Sequence, residues 1–175
     1  FRTEITSETG DEISQIDNIT FLYTYTLDDP TRPTLLSKFR IPSSDESTRG
    51  SGMSISDVAV HGNYLVYGSS LSESGVIDIS DPENPKHVSF LPKARYVFWY
   101  NNLLGMGFNN PILFYEIDPL HGPIEIAQIE NAKSLNVSIS GNRMYVRRTD
   151  GGIDIYELEL ETTGGSTGIF HWTLY

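Results

Sequence analysis

The sequence predicts an all-β protein. Ten Tyr, eight Phe and two Trp stand among 175 residues, side chains that half-buried strands favour. Short alternating runs recur about every ten residues, among them Val58-Ala59-Val60, Tyr64-Leu65-Val66-Tyr67, Val76-Ile77-Asp78-Ile79, Ile124-Glu125-Ile126-Ala127, Met144-Tyr145-Val146 and Ile153-Asp154-Ile155. No stretch of about twelve residues carries the i, i+3, i+4, i+7 apolar stripe of a helix. Fifteen Gly and nine Pro interrupt the candidates.

A repeated layout sharpens the prediction. Asp57-Val58-Ala59-Val60-His61-Gly62-Asn63-Tyr64-Leu65-Val66-Tyr67 leads into Gly75-Val76-Ile77-Asp78-Ile79-Ser80-Asp81-Pro82-Glu83-Asn84-Pro85. The same order returns from Tyr96 to Pro119 and from Asn136 to Glu157, with starts 39 and 40 residues apart. Asp29-Pro30-Thr31-Arg32-Pro33 mirrors Asp81-Pro82-Glu83-Asn84-Pro85 at a distance of 52, as a half-copy lengthened by an insert. A period of about 40 with four strands per unit is the spacing of β-propeller blades. The expected fold is a β-propeller of four-stranded antiparallel blades, an incomplete ring of about three and a half. Blade 1 is partial (1–42), a Gly/Ser-rich polar insert follows (43–52), and blades 2, 3 and 4 cover 54–92, 93–131 and 132–175.

Each strand has its own reason. The innermost strands are expected at 57–61, 96–100 and 136–140, and the second strands at 64–68, 103–108 and 143–148. The Gly62-Asn63 and Gly141-Asn142 turns between them tolerate positive φ. Third strands fall at 75–80, 112–117 and 152–158, and outer strands at 86–91, 124–130 and 168–174. In the intervening Asp-Pro-x-x-Pro turn, Pro82 presets φ and Asp81 can accept an N–H two residues on. The hairpin Asp118 to Pro123 is one residue longer, which leaves the register of 112–117 open by one. Blade 1 offers strands at 19–27 and 34–41, and the segment 1–18 could supply one more. Along the innermost strands, Ala59, Phe98 and Ser138 share one face, and Val58/Val60, Val97/Trp99 and Val137/Ile139 share the other. A large residue between small equivalents suits interdigitated sheets.

The Asp57-to-Tyr64 string, followed by Val76 to Pro85, resembles an LVIVD repeat. One copy (57–92) is similar throughout. Those at 96–130 and 136–160 keep the layout but lack the full Ser-Asp-Pro-x-x-Pro, and Glu157 stands where the turn Asp would be. The resemblance implies propeller blades in large secreted or surface-attached proteins of bacteria or archaea. It implies no shared catalytic set.

Charge and motif content exclude more than they assign. Twelve Lys+Arg against 23 Asp+Glu give a net charge of -11, unsuited to gathering phosphates or to docking on anionic lipid. No run of about 20 apolar residues calls for membrane insertion. With no Cys there are no disulfides and no thiolate chemistry. Asp78, Asp81 and Glu83 read as strand and turn residues rather than a Ca²⁺ loop. His61, His87, His121 and His171 lack zinc spacing. No nucleophile elbow, phosphate loop or dinucleotide fingerprint is present. Neither a cofactor nor a metal is expected.

One constellation is positional. Asp57, Tyr96 and Asn136 begin three successive innermost strands, with Arg95 beside Tyr96, so the repeat would gather them at one mouth of a central channel. Strand capping is the competing role. The reading is a non-catalytic recognition module of a larger secreted or cell-surface protein, with a protein or glycan partner. Two readings compete with it: a carbohydrate-active enzyme using Asp57 and a second carboxylate, and an intracellular WD40-like adaptor. An open stack would also expose apolar faces, so further blades or self-association are expected.

Overall fold

The protein's structure, a computed structural model, describes residues 2–9, 18–42, 54–109, 111–130, 132, 134–163 and 166–174. The insert expected at 43–52 lies outside them. The described residues form strands, turns and bends, with no helix.

Four antiparallel sheets follow one another along the chain. The first has three strands, β1 (Arg2–Thr9), β2 (Asn18–Thr26) and β3 (Thr34–Arg40). The second has four, β4 (Ile55–His61), β5 (Tyr64–Ser69), β6 (Ser74–Asp78) and β7 (Lys86–Leu91). The third comprises β8 (Tyr96–Tyr100), β9 (Leu103–Gly107), β10 (Ile112–Asp118) and β11 (Gly122–Ile129). The fourth comprises β12 (Ser134–Ser140), β13 (Arg143–Arg148), β14 (Ile153–Thr163) and β15 (Ser166–Leu174). Each sheet is a meander in which every strand pairs with the next. Most strand ends agree with the sequence reading to within two residues. β14 runs on to Thr163 because its partner β15 continues the ladder to Thr163↔Ser166. The segment 1–18 does supply a further strand, β1.

Bulges recur at matching places. Leu36, Val88 and Ile126 are each an extra residue in the last strand of a sheet, since Thr24↔Ser37 steps to Tyr25↔Leu35, Val76↔Ser89 to Ile77↔His87, and Phe114↔Ala127 to Tyr115↔Glu125. The spacing from Leu36 to Val88 is 52, the same offset that relates the two Asp-Pro turns. The bulge at Ile126 also resolves the register of β10: Ile112 and Phe114 point one way, Tyr115 the other.

Those turns form as their sequences dictate. Asp81 Oδ1 accepts the Glu83 N–H at 3.0 Å and Asp29 Oδ1 the Thr31 N–H at 2.9 Å. Asp118 accepts from both Leu120 and His121 N–H groups. The Thr31 hydroxyl also donates to Asp29 at 2.6 Å and the Asn84 amide to Asp81 at 2.9 Å. These side-chain bonds first, then the backbone ones, hold Asp29 and Asp81 below the usual range, and the backbone bonds do the same for Asp118. Asp78 similarly accepts the Ser80 N–H at 2.8 Å.

The core lies between sheets. Leu22 of the first sheet and Ile41 just past its last strand meet Leu65, Tyr67 and Ile77 of the second, with Ile79 just past β6. Val66, Val76 and Leu91 on the second sheet's other face meet Val97, Leu104, Met106 and Tyr115. Ile112, Phe114 and Ile129 meet Met144, Val146, Tyr156 and Leu158. The middle sheets are therefore covered on both faces, which is why β5 reads as a nearly unbroken apolar run. First strands touch first strands (β4 to β8, β8 to β12), and last strands touch last strands (β7 to β11, β11 to β15). The Thr24 and Ser37 hydroxyls, 2.8 Å apart, converge on the Pro82 carbonyl and tie the first sheet to the second.

Close approach explains two glycines. Phe98 lies across Gly105 and Tyr96 across Gly107, on the adjoining strand, where any Cβ would overlap the ring. Phe98 then meets Phe114 edge-on at 5.9 Å, a favoured aromatic geometry.

Candidate functional site

The starts of β4, β8 and β12 are stitched together, and the stitching residues include those singled out from sequence. Bulges at Ser56 and Leu135 come immediately before Asp57 and Asn136, since Ile55↔Ser69 steps to Asp57↔Gly68 and Ser134↔Arg148 to Asn136↔Arg147. A bulge re-aims the residues beside it. Asp57 Oδ1 accepts the Val58 N–H at 2.9 Å, and Asn136 Oδ1 accepts the Val137 N–H at 2.7 Å. The capping role weighed above is thus one that both residues perform.

Asp57 does more than cap. Its Oδ2 accepts the Val97 N–H of the next sheet at 3.1 Å, two residues from Arg95. Tyr96 makes the corresponding link onward, its hydroxyl paired with that of Ser134 at the start of β12. Ser134 Oγ in turn reaches the Asn109 carbonyl at 3.2 Å. Tyr96 is only 3% exposed. Burial pushes its phenol up to about 12, with a further push from Tyr156, while the Ser134 bond works the other way.

Arg95 and Asn136 are exposed and Asp57 is half-buried, while Tyr96 lies behind them in the core. The Arg95 backbone N–H donates to the Gly107 carbonyl at 2.7 Å, which anchors the main chain beneath the outward guanidinium. Chemically this end of the strands is rich in donors. Arg95 carries five N–H groups and Asn136 an amide NH₂, whereas both oxygens of Asp57 are already engaged.

A second polar group sits at the opposite end of the first strands, and sequence reasoning passed it over. His61 Nε2 lies 3.1 Å from Asn102 Oδ1, and its ring lies 5.1 Å from that of Trp99. The Trp99 indole nitrogen is buried and has no hydrogen-bond partner among the described residues. The signal was available: Gly62-Asn63 and Asn101-Asn102 are hairpin turns 39 residues apart, and Asn101 takes the positive φ of 53° that Gly62 takes at 55°. Adjacent hairpins of equal length bring the end of one first strand to the turn of the next.

Among the described residues, no three His, Asp or Glu side chains are grouped to hold a metal ion; the His171 side chain lies outside them. In comparisons with known proteins, no family model and no curated protein matches the chain.

Proposed function

We propose that the chain is a run of β-propeller blades of the LVIVD type, acting as a non-catalytic recognition module of a larger secreted or cell-surface protein. The four sheets would be successive blades, with β4, β8 and β12 nearest the axis. Support comes from the chain-order packing of the sheets and from the contact of first strands with first strands and last with last. Stacked units of this kind present broad composite surfaces.

The observation that carries the recognition reading is the double link at one strand end, Asp57 to Val97 and Tyr96 to Ser134. It holds the exposed Arg95 and Asn136 on neighbouring strands of a rigid scaffold. Donors so arranged suit a ligand rich in acceptors, a glycan or a polar protein loop carrying carboxylates. The acidic body opposes nucleic acid. An acid–base catalyst fits less well, because both Asp57 oxygens are occupied by backbone N–H groups.

Titration of isotope-labelled protein with a panel of acidic and neutral oligosaccharides and acidic peptides tests this. Amide shifts clustered at Arg95, Tyr96 and Asn136, lost in Arg95→Ala, are the expected result. Shifts elsewhere would overturn the site, and release of shorter saccharides would transfer the protein to the enzymes.

A further inference from the structure

The hairpin end of the first strands has a chemistry of its own. His61↔Tyr64, Tyr100↔Leu103 and Ser140↔Arg143 close three hairpins of one shape. Their first turn residues, Gly62, Asn101 and Gly141, take φ of 55°, 53° and 60°. Their second turn residues, Asn63, Asn102 and Asn142, are exposed. Turn preference alone accounts for asparagine at the second position. Asn101 is different, because both other turns use glycine at a positive φ that L residues uncommonly adopt. The middle hairpin therefore presents two amide side chains where its neighbours present one.

Beside that hairpin lies a donor without an acceptor. Trp99 turns from β8 toward the second sheet and packs on the core that the second and third sheets share. The residue as a whole is half-buried, but its indole N–H is buried with no hydrogen-bond partner among the described residues. The His61 ring covers it from the second sheet, with ring centroids 5.1 Å apart and planes tilted by 31°. His61 Nε2 lies 3.1 Å from Asn102 Oδ1. Both residues are exposed, so water competes for that bond and the imidazole is lightly held. A buried donor left unpaired carries a desolvation cost that an incoming acceptor relieves.

We propose that Trp99, Asn101 and Asn102 form a subsite for a neutral saccharide, with His61 as a cover that swings off the indole when the sugar enters. The chemistry selects the ligand. The indole N–H and the asparagine NH₂ groups donate while the amide carbonyls accept, a mixture that sugar hydroxyls satisfy. The uncovered indole adds a flat apolar face for the C–H side of a pyranose ring. An acidic ligand is opposed by Asp78, Glu116 and Glu157, which pair with Tyr64, Leu103 and Arg143 at the same end. A cation brings no acceptor for the indole N–H. The subsite lies between the second and third sheets, at the opposite end of β8 from Arg95, so either site can fail without the other.

Titration of nitrogen-15-labelled protein with neutral hexasaccharides of glucose, of mannose and of N-acetylglucosamine tests it. The chain has two tryptophans, and Trp172→Phe identifies the Trp99 indole resonance. At least one of the three saccharides is expected to move that resonance downfield as the N–H gains an acceptor. Trp99→Phe keeps a ring but no donor and should weaken binding about tenfold. His61→Ala should bind as tightly as the unaltered protein or more tightly, and its Trp99 should be quenched more readily by acrylamide. Arg95→Ala should leave binding unchanged. An unmoved indole resonance with all three saccharides, undiminished binding by Trp99→Phe, or binding lost in His61→Ala would overturn the proposal. So would a shift produced by hexaglycine and by none of the saccharides, which would give the subsite to a polypeptide carbonyl.

Discussion

Asp57 in β4 accepts the Val97 N–H of β8 across the gap between two sheets, at 3.1 Å. The two residues are 40 positions apart, and their bond joins strands that share no ladder. Asp57→Ala removes the acceptor for two backbone N–H groups at once. A loss of about 1–3 kcal/mol is expected, because orphaned donors in a partly buried site retain their desolvation cost. Asp57→Asn keeps one acceptor oxygen and should lose about half as much. Urea unfolding measures both, and an unchanged midpoint for Asp57→Ala would mean that water replaces the carboxylate without cost.

Strand positions were legible because alternation and turn residues are local signals. Val58-Ala59-Val60 followed by Gly62-Asn63 specifies a strand and its hairpin within seven residues, and β4 and β5 form there. β1 was harder to read, since Arg2 to Thr9 carries one large apolar residue, Ile5, and gains its strand character by pairing with β2. The entry residues were found by their common slot, yet their bonds were not. That Asp57 reaches Val97, and Tyr96 reaches Ser134, depends on how one sheet sits on the next, which no local pattern encodes. Hence Asp57 and Tyr96, read as ligand-facing groups, are also structural ties.

Two buried tyrosines should respond oppositely to loss of their hydroxyls. Tyr67 is fully buried and its hydroxyl has no hydrogen-bond partner among the described residues; burial, helped by the Glu73 charge, pushes its phenol far above the usual value. Tyr67→Phe removes an unpaired polar atom and should be neutral or stabilising. Tyr96→Phe breaks the link to Ser134 and should cost about 1 kcal/mol. Thermal melts of the two variants side by side decide the matter, and a larger loss for Tyr67→Phe would refute it.

Gly105 is required by Phe98. A Cβ at position 105 would overlap the Phe98 ring, which is held edge-on against Phe114. Gly105→Ala should therefore destabilise by about 1–3 kcal/mol through overpacking. In a Phe98→Ala background the same substitution should cost almost nothing, because the clash has gone. An equal penalty in both backgrounds would locate the cause in the backbone instead.

His87 should produce an acid-side loss of stability. Burial lowers its folded-state pKa beneath the ordinary 6.5, and its buried Nε2 has no hydrogen-bond partner among the described residues. The neutral ring is therefore favoured in the fold. Its contribution is complete above pH 6.5 and is lost as pH falls from 6.5 through the folded value. Asp29, Asp81, Asp118 and Asp150 have lowered values, so their contributions persist until pH drops below 3.8. His87→Phe should flatten the stability profile in the upper window and keep the ring contact with Phe90, now 4.3 Å. Urea midpoints of both proteins across mildly acidic pH measure this. A wild-type profile with no slope in that window would remove His87 as its cause.

Alkaline unfolding should be governed by the inter-sheet tyrosines. Burial is the main cause that pushes Tyr96 and Tyr115 up to about 12, with the Glu125 charge adding to the second. It raises Tyr67, Tyr100 and Tyr156 as well. A phenol whose folded pKa exceeds the ordinary 10 stabilises the fold fully below pH 10. That stabilisation declines as pH rises from 10 through the folded value, because the unfolded chain ionises first. Tyrosinate absorbance from this buried set should then rise only as the β spectrum is lost. Tyr96→Phe removes one of the raised phenols, so it should shallow the alkaline slope even though it lowers stability at neutral pH. A single ionisation step near pH 10 with the fold retained would mean that water reaches these hydroxyls between the sheets.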